Sequence, residues 1–331
     1  MYWRGAERQT TTTELRLNEG GKNARRVIRK TKWNRFARSY QLQLLMLLPI
    51  LYLVVFQYGP MYGVQIAFRD FVAIDGIWRS PWVGLKHFVR FFQAPQFRTI
   101  VGNTFALSIY NLIVGFPFPI LLALAINTSV RARFKKSVQM VTYLPYFIST
   151  VVTVGMLLQF LSPRFGILNA ILRTLGIEEI NFIANPDMFR SIYVWSEVWQ
   201  DTGWNSVVYI AALSGVDPSL HEAAVMDGAS RSRRVWHIDL PGILPTVTVV
   251  LILNLGKLID LGFEKAFLLQ NDLNLSKSEI ISTFVYKVGL AGSLPNYSYA
   301  TAIGLFNGVI SLVLLLVFNR IVKNFQGTSL W

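Results

Sequence analysis

The chain contains no cysteine. Disulfides, thiolate metal sites and cysteine nucleophiles are excluded by that absence, while the redox compartment stays open. Histidine is nearly as scarce, with only His87, His221 and His237. His221-Glu222 begins the HExxH pattern of a helical zinc site, but its second ligand would fall on Val225, so no metal is expected. The phosphate-cradling GxxxxGK[ST] loop is also missing, and with it any P-loop for ATP in this chain. Charged residues make up only 15% of 331, and acids are the rarer sign, 18 against 32 basic residues.

What fills the chain instead is apolar: 53% of residues, with a mean hydropathy of +0.41. A water-soluble core cannot absorb that surplus, so much of it must face lipid. The net charge of +14 could suit nucleic acid, but its placement argues otherwise. Arg4, Arg8, Arg16, Lys22, Arg25, Arg26, Arg29, Lys30, Lys32, Arg35 and Arg38 all precede the first long apolar run, where a cytoplasmic anchor puts them. That leader is too long and too charged for a cleavable signal, so the run after it reads as a retained membrane helix.

About 20 mostly apolar residues cross the hydrocarbon as a helix. Six candidates satisfy this: Gln41 to Gly59, Thr104 to Ile126, Val138 to Leu161, Ser191 to Leu213, Ile243 to Phe263 and Tyr299 to Asn319. The expected class is an all-α membrane protein of six transmembrane helices. Residues 1–40 form a basic leader, 41–325 the membrane domain and 326–331 a tail. Basic residues crowd the loops after spans two (Arg131, Arg133, Lys135, Lys136), four (Arg231, Arg233, Arg234) and six (Arg320, Lys323), which predicts cytoplasmic termini. Pro49, Pro117, Pro119, Pro145 and Gly203 interrupt spans, and Gly304 and Gly308 form a GxxxG step that permits close helix contact.

Charge inside a span marks a pathway or a buried pair. Span four carries Glu197 and Asp201, with Trp199 and Asn205 nearby; span five carries Asn254, Lys257 and Asp260. Trp199, Asn205, Asn254, Lys257 and Asp260 are the candidate pathway residues, whereas Trp195 and Trp204 suit an interfacial belt. A lysine near mid-span costs about 2.5 to 3.5 kcal/mol, so Lys257 should face protein or water, with Asp260 on nearly the same face as its structural partner.

The loop at 214–242 carries the most local information. Asp217 suits an N-cap, Pro218 the first helical position and Gly228 the residue past the end, which predicts a short isolated helix. Ser230 should cap a second short helix, Arg231 to His237, that Pro241 keeps from running far. Glu222-Ala223-Ala224, Asp227-Gly228-Ala229, Ile238, Leu240-Pro241 and Pro245 resemble the EAA motif of permease subunits in binding-protein-dependent ABC importers. Val235 departs from the aromatic residue usual there, with Trp236 beside it. Tyr58-Gly59-Pro60-Met61-Tyr62-Gly63, Phe68-Arg69-Asp70-Phe71, Ser80-Pro81-Trp82-Val83-Gly84-Leu85 and Ser329-Leu330-Trp331 resemble the LplB-type branch, in particular first permeases of alginate-type importers.

The resemblance implies a type I permease fold in a bacterial cytoplasmic (inner) membrane. Glu222, Ala223, Ala224, Asp227, Gly228, Ala229, Leu240 and Pro241 would form a coupling element docked on an ATPase dimer, which would hold the ATP and magnesium that this chain does not. A second related permease and an extracytoplasmic solute-binding protein would complete the importer, and its cargo would be an oligosaccharide, an acidic one meeting Lys257. An ion-coupled secondary transporter is the rival, with Glu197, Asp201, Lys257 and Asp260 as relay residues.

Overall fold

The computed structural model describes residues 40–129 and 131–326. The basic leader and the Ser329-Leu330-Trp331 terminus lie outside the described residues. The chain divides into two compact units, Met1–Val64 and Gln65–Trp331.

The described part of the first unit is one continuous helical run. α1 (Tyr40–Tyr52) holds Pro49 and passes into a π turn, Leu53–Tyr58, in which Gly59 N–H reaches the Val54 carbonyl. Pro60 follows, then a 3-10 stretch, Tyr62–Phe68, whose residues from Gln65 belong to the second unit. The apolar side chains from Leu44 to Met61 are exposed along its length. A helix apolar all round, with no buried face, is built for lipid or a partner.

In the second unit, which begins at Gln65, α2 (Lys86–Gln93) leads into α3 (Phe97–Gly115) and α4 (Pro117–Thr128). Pro117 opens α4, where its missing N–H matters least. α3 and α4 therefore act as one span, Phe97–Thr128, about 48 Å long at 1.5 Å per residue. Span three is interrupted at Pro145, as expected, and by more than a kink. It is not straight: α5 (Ala132–Tyr143) and α6 (Thr150–Phe160) meet at 97° across a 3-10 turn, Leu144–Phe147. Pro145 weakens the ladder there, and Ser149 Oγ caps the new helix by accepting Val152 N–H at 3.4 Å.

A short amphipathic helix, α7 (Ile167–Thr174), leads to α8 (Pro186–Leu213), 28 residues long and capped by Asn185. α8 is the hub, packing on α3, α4 and α5. Gly203 does not interrupt it. A Cβ at that position would lie 1.9 Å from the Thr142 carbonyl oxygen, so the glycine instead lets the backbone of α5 touch α8. After α9 (Pro218–Met226), a helical run from Arg231 to Gly256 ends in α10 (Leu240–Gly256). Span five thus stops at Gly256, short of the expected Phe263, and the chain turns into α11 (Phe263–Leu269). α12 (Ile281–Tyr286) and a π turn, Lys287–Ala291, precede α13 (Tyr297–Gln326). Nothing lies within 4 Å of a Cβ placed at Gly304 or Gly308, so the GxxxG step makes no close contact among the described residues.

Four helices among the described residues are long and apolar enough to span a membrane, or five if the bent α5–α6 pair is counted as one span. α8 has the length, but Asp187, Arg190, Glu197 and Asp201 dilute its hydropathy. Three apolar clusters hold the second unit together. Tyr193 and Val194 lie with Leu107 and Val154; Phe91 and Ile100 with Ile281 and Ile303; Tyr209 with Ala123 and Ile243. Where these contacts lie within lipid, their gain is van der Waals packing and hydrogen bonding, since lipid tails are as apolar as leucine.

Candidate functional site

The loop following α8 folds as its local signals dictate. Asp217 Oδ1 accepts Ser219 N–H at 2.9 Å, which holds its carboxyl below the usual aspartate range. Pro218 opens α9, and Gly228 closes it at φ +72°. The terminus is a complete Schellman motif: Ala229 N–H donates to Ala224 C=O at 2.8 Å, and Gly228 N–H to Val225 C=O at 3.0 Å. Glu222, Ala223, Asp227 and Gly228 are exposed, Ala224 and Ala229 half-buried. Val225 and Met226 are also exposed, Met226 at 87%, so the helix shows an apolar surface beside its acids. A helix this short is unstable alone and needs a surface to lie on.

One correction concerns the second short helix. Ser230 Oγ caps it through Arg233 N–H at 3.4 Å, as expected, but Pro241 does not stop the run. Residues Val235–Asp239 form a π turn in which Leu240 N–H bonds to Val235 C=O. Pro241 then falls in the first turn of α10, where a missing donor costs little. Leu240 packs with Ile120 and Tyr209, while Pro241 is exposed. The turn also buries Asp239, whose Oδ1 lies 3.3 Å from His221 Nε2 and accepts Asn127 Nδ2 at 3.2 Å. Lys135 Nζ donates to Asn127 C=O at 3.0 Å. α9 and the end of α4 therefore meet through one buried carboxylate, and the start of α5 joins them through the Asn127 carbonyl. This junction escaped sequence analysis because its members are scattered from 127 to 239.

A cavity of about 380 Å3 lies between α3, α4, α8 and α10. Asn205, Asn254, Lys257 and Asp260 line it together with Asn111, Glu197, Asp201 and Trp204. Trp199 does not: two residues from Glu197 is 200° around the helix, and its ring is half exposed on the far side. Trp204, expected at the interface, lines the cavity and stacks on Tyr146 at 4.8 Å and 7°. Gln200 Nε2 donates to Ile148 C=O at 2.9 Å, tying α8 to the break in span three.

Lys257 is not on a mid-span helix. It follows the last helical residue, exposed, and makes no ion pair with Asp260 among the described residues. A buried lysine pairs elsewhere instead. Lys265 of α11 is buried, its Nζ 3.7 Å from Glu197 Oε2 and 5.0 Å above the Tyr193 ring. Asn111 Nδ2 donates to Glu197 Oε1 at 3.2 Å. Asn111 carried a signal, a polar residue inside an apolar span; Lys265 carried none, since it lay outside every expected span.

The model of the binding-protein-dependent transport system inner membrane component family matches residues 115–327. The polygalacturonan/rhamnogalacturonan transport system permease protein YteP of Bacillus subtilis (strain 168) is 44% identical over 288 residues, 87% of this chain and 89% of that protein. Protein LplB of the same organism is 39% identical, covering 92% and 93%. Among solved structures, a crystallised bacterial ABC transporter involved in import of the acidic polysaccharide alginate aligns with TM-score 0.82 and 39% identity, over 89% of this chain and 99% of that one. With the type I permease fold and these similarities together, the chain belongs to the family of inner membrane components of binding-protein-dependent transport systems.

Proposed function

We propose that this chain is a permease subunit of an ATP-driven importer that moves an oligosaccharide, acidic in character, from a solute-binding protein across the bacterial inner membrane. The family match over residues 115–327, which includes the whole capped loop, carries this reading. Permeases of this family are transport components rather than enzymes. The substrate class is supported by relatives named for polygalacturonan/rhamnogalacturonan and for alginate, and the binding protein by a similar transporter crystallised with an alginate-bound periplasmic protein.

Division of labour follows from the chain itself. With no phosphate loop, it needs a partner ATPase to hold ATP and magnesium. α9, with exposed Glu222, Asp227, Val225 and Met226, is the surface that meets that ATPase; Leu240 and Pro241 anchor it to span five. A second related permease closes the pathway, both termini lie in the cytoplasm, and lipid covers the exposed apolar faces. Asn205, Asn254, Lys257 and Asp260 then line part of the route, with Lys257 a cation that pairs with no carboxylate among the described residues.

Reconstituting the purified transporter in vesicles with an acidic-oligosaccharide-loaded binding protein tests this. Uptake should require ATP and all partner subunits. Uptake by this chain under an ion gradient without an ATPase would overturn the reading in favour of a secondary transporter. Lys257→Met should weaken import of an acidic oligosaccharide more than of a neutral one.

A further inference from the structure

The central cavity is poorly suited to gathering an acidic chain: Glu197, Asp201 and Asp260 line it against Lys257. A second concavity has the opposite character. It lies among α2, the start of α3, the π turn after α12 and the start of α13, with a volume of about 1130 Å3. Lys86, Arg90 and Lys287 line it, and no acidic side chain does. The Phe97 end of the α3–α4 span borders it, whereas Asn127 near the other end meets the loop carrying α9, so the two features sit at opposite ends of that span.

Its cations are not equivalent. Lys86 Nζ is bound to Asp70 Oδ2 at 2.6 Å, and Lys287 Nζ to Glu279 Oε1 at 2.9 Å. The Asp70 carboxyl is held below its usual range chiefly by that Lys86 hydrogen bond. Arg90 has no carboxylate partner among the described residues. Its Cζ lies 4.6 Å from the centroid of the Tyr299 ring, which holds the guanidinium in place while its donors stay open. A guanidinium presented this way offers a bidentate fork to a carboxylate. Around it the side-chain amides of Gln93 and Gln96 make no protein hydrogen bond among the described residues. Asn296 uses its Oδ1 to accept Tyr299 N–H at 2.9 Å, leaving its amide nitrogen to donate.

The geometry points to an entry subsite for a uronate-bearing oligosaccharide, with Arg90 clamping a sugar carboxylate and Gln93, Gln96 and Asn296 meeting hydroxyls. A pocket for one small ligand runs to about 300–1,000 Å3, so this trough has room for several rings. Concavity and unspent amides favour a saccharide over a protein surface, whose contact is broader and has an apolar centre. The inference deepens the acidic-substrate reading and rests on it for orientation.

The test uses the assembled transporter in phosphatidylcholine nanodiscs without binding protein, with tetragalacturonate and neutral maltotetraose as probes. Tetragalacturonate should bind, weakening as salt rises, and maltotetraose should not. Arg90→Gln should weaken tetragalacturonate about tenfold or more, with Arg90→Lys between the two. Arg90 is exposed, so the variants should assemble normally, which size-exclusion checks. Equal binding of both sugars, or unchanged binding by Arg90→Gln, overturns the subsite. So does an equal loss of ATPase stimulation by binding protein carrying acidic or neutral ligand, which would make the trough a protein dock. If wild type imports no acidic sugar yet binds tetragalacturonate through Arg90, the subsite stands and the substrate reading falls alone.

Discussion

The loop carrying α9 and the cavity beside α8 are both polar regions of an apolar protein, yet they are built by opposite means. In the loop, Asp217, Pro218 and Gly228 each act within a few residues of themselves, and the conformation follows from caps. Asn111 and Glu197 of the cavity lining, and the Lys265 that pairs with Glu197, come from three separate helices, and their placement follows from packing. Damage should therefore spread in the cavity and stay local in the loop.

The largest effect should come from Gly203→Ala. A methyl group 1.9 Å from the Thr142 carbonyl oxygen forces α5 and α8 apart, at or above the upper end of the ~1–3 kcal/mol usual for overpacking. Loss of the folded subunit from membranes, read by thermal-shift and expression yield, is expected; normal yield would show that this junction yields easily.

Next in size is Lys265→Met, which strands Glu197 and Asp201 one turn apart on α8. Losing one partner of a buried pair costs about 3–5 kcal/mol, and less here because Glu197 also faces the cavity. Glu197→Gln should restore stability in the double variant. Absence of rescue would mean that the lysine acts through packing over Tyr193 instead.

Within the loop, Gly228→Val should leave the membrane domain folded but strain α9 by roughly 1–2 kcal/mol, because φ +72° is strained for a β-branched residue. ATPase stimulation by loaded binding protein should fall sharply at unchanged assembly. A variant that also unfolds would erase the contrast between the two regions.

The smallest effect belongs to Asp217. Its carboxyl titrates below the ordinary aspartate range because the ionised form accepts Ser219 N–H. The cap is thus fully stabilising above the ordinary value and is lost as pH falls through the lowered one. Amide exchange at Ser219 should accelerate only in acid, and Asp217→Ala should remove that pH dependence.

This contrast also explains what could be read from the sequence. The number and order of apolar runs, the caps of α9 and the EAA spacing are local patterns, and periodicity or a single residue type reveals them. The break in span three is marked by Pro145 itself, whereas its 97° angle, the end of span five at Gly256 and the Lys265–Glu197 pair are decided by neighbours far along the chain. Lys257 and Asp260 show the difference best. Spacing on an assumed helix paired them, but the helix stops one residue before Lys257, so their shared face does not exist.

The π turn at Val235–Asp239 gives that spacing a mechanical meaning. Five backbone steps rather than four before a hydrogen bond amount to one inserted residue, which offsets everything downstream by roughly 100° from an uninterrupted α-helix. The turn is a phase shifter between the α9 loop and span five. Residue count from Gly228 to Pro241 therefore records an angle as well as a length. A single deletion there could preserve every cap and still point the end of the lever in the wrong direction.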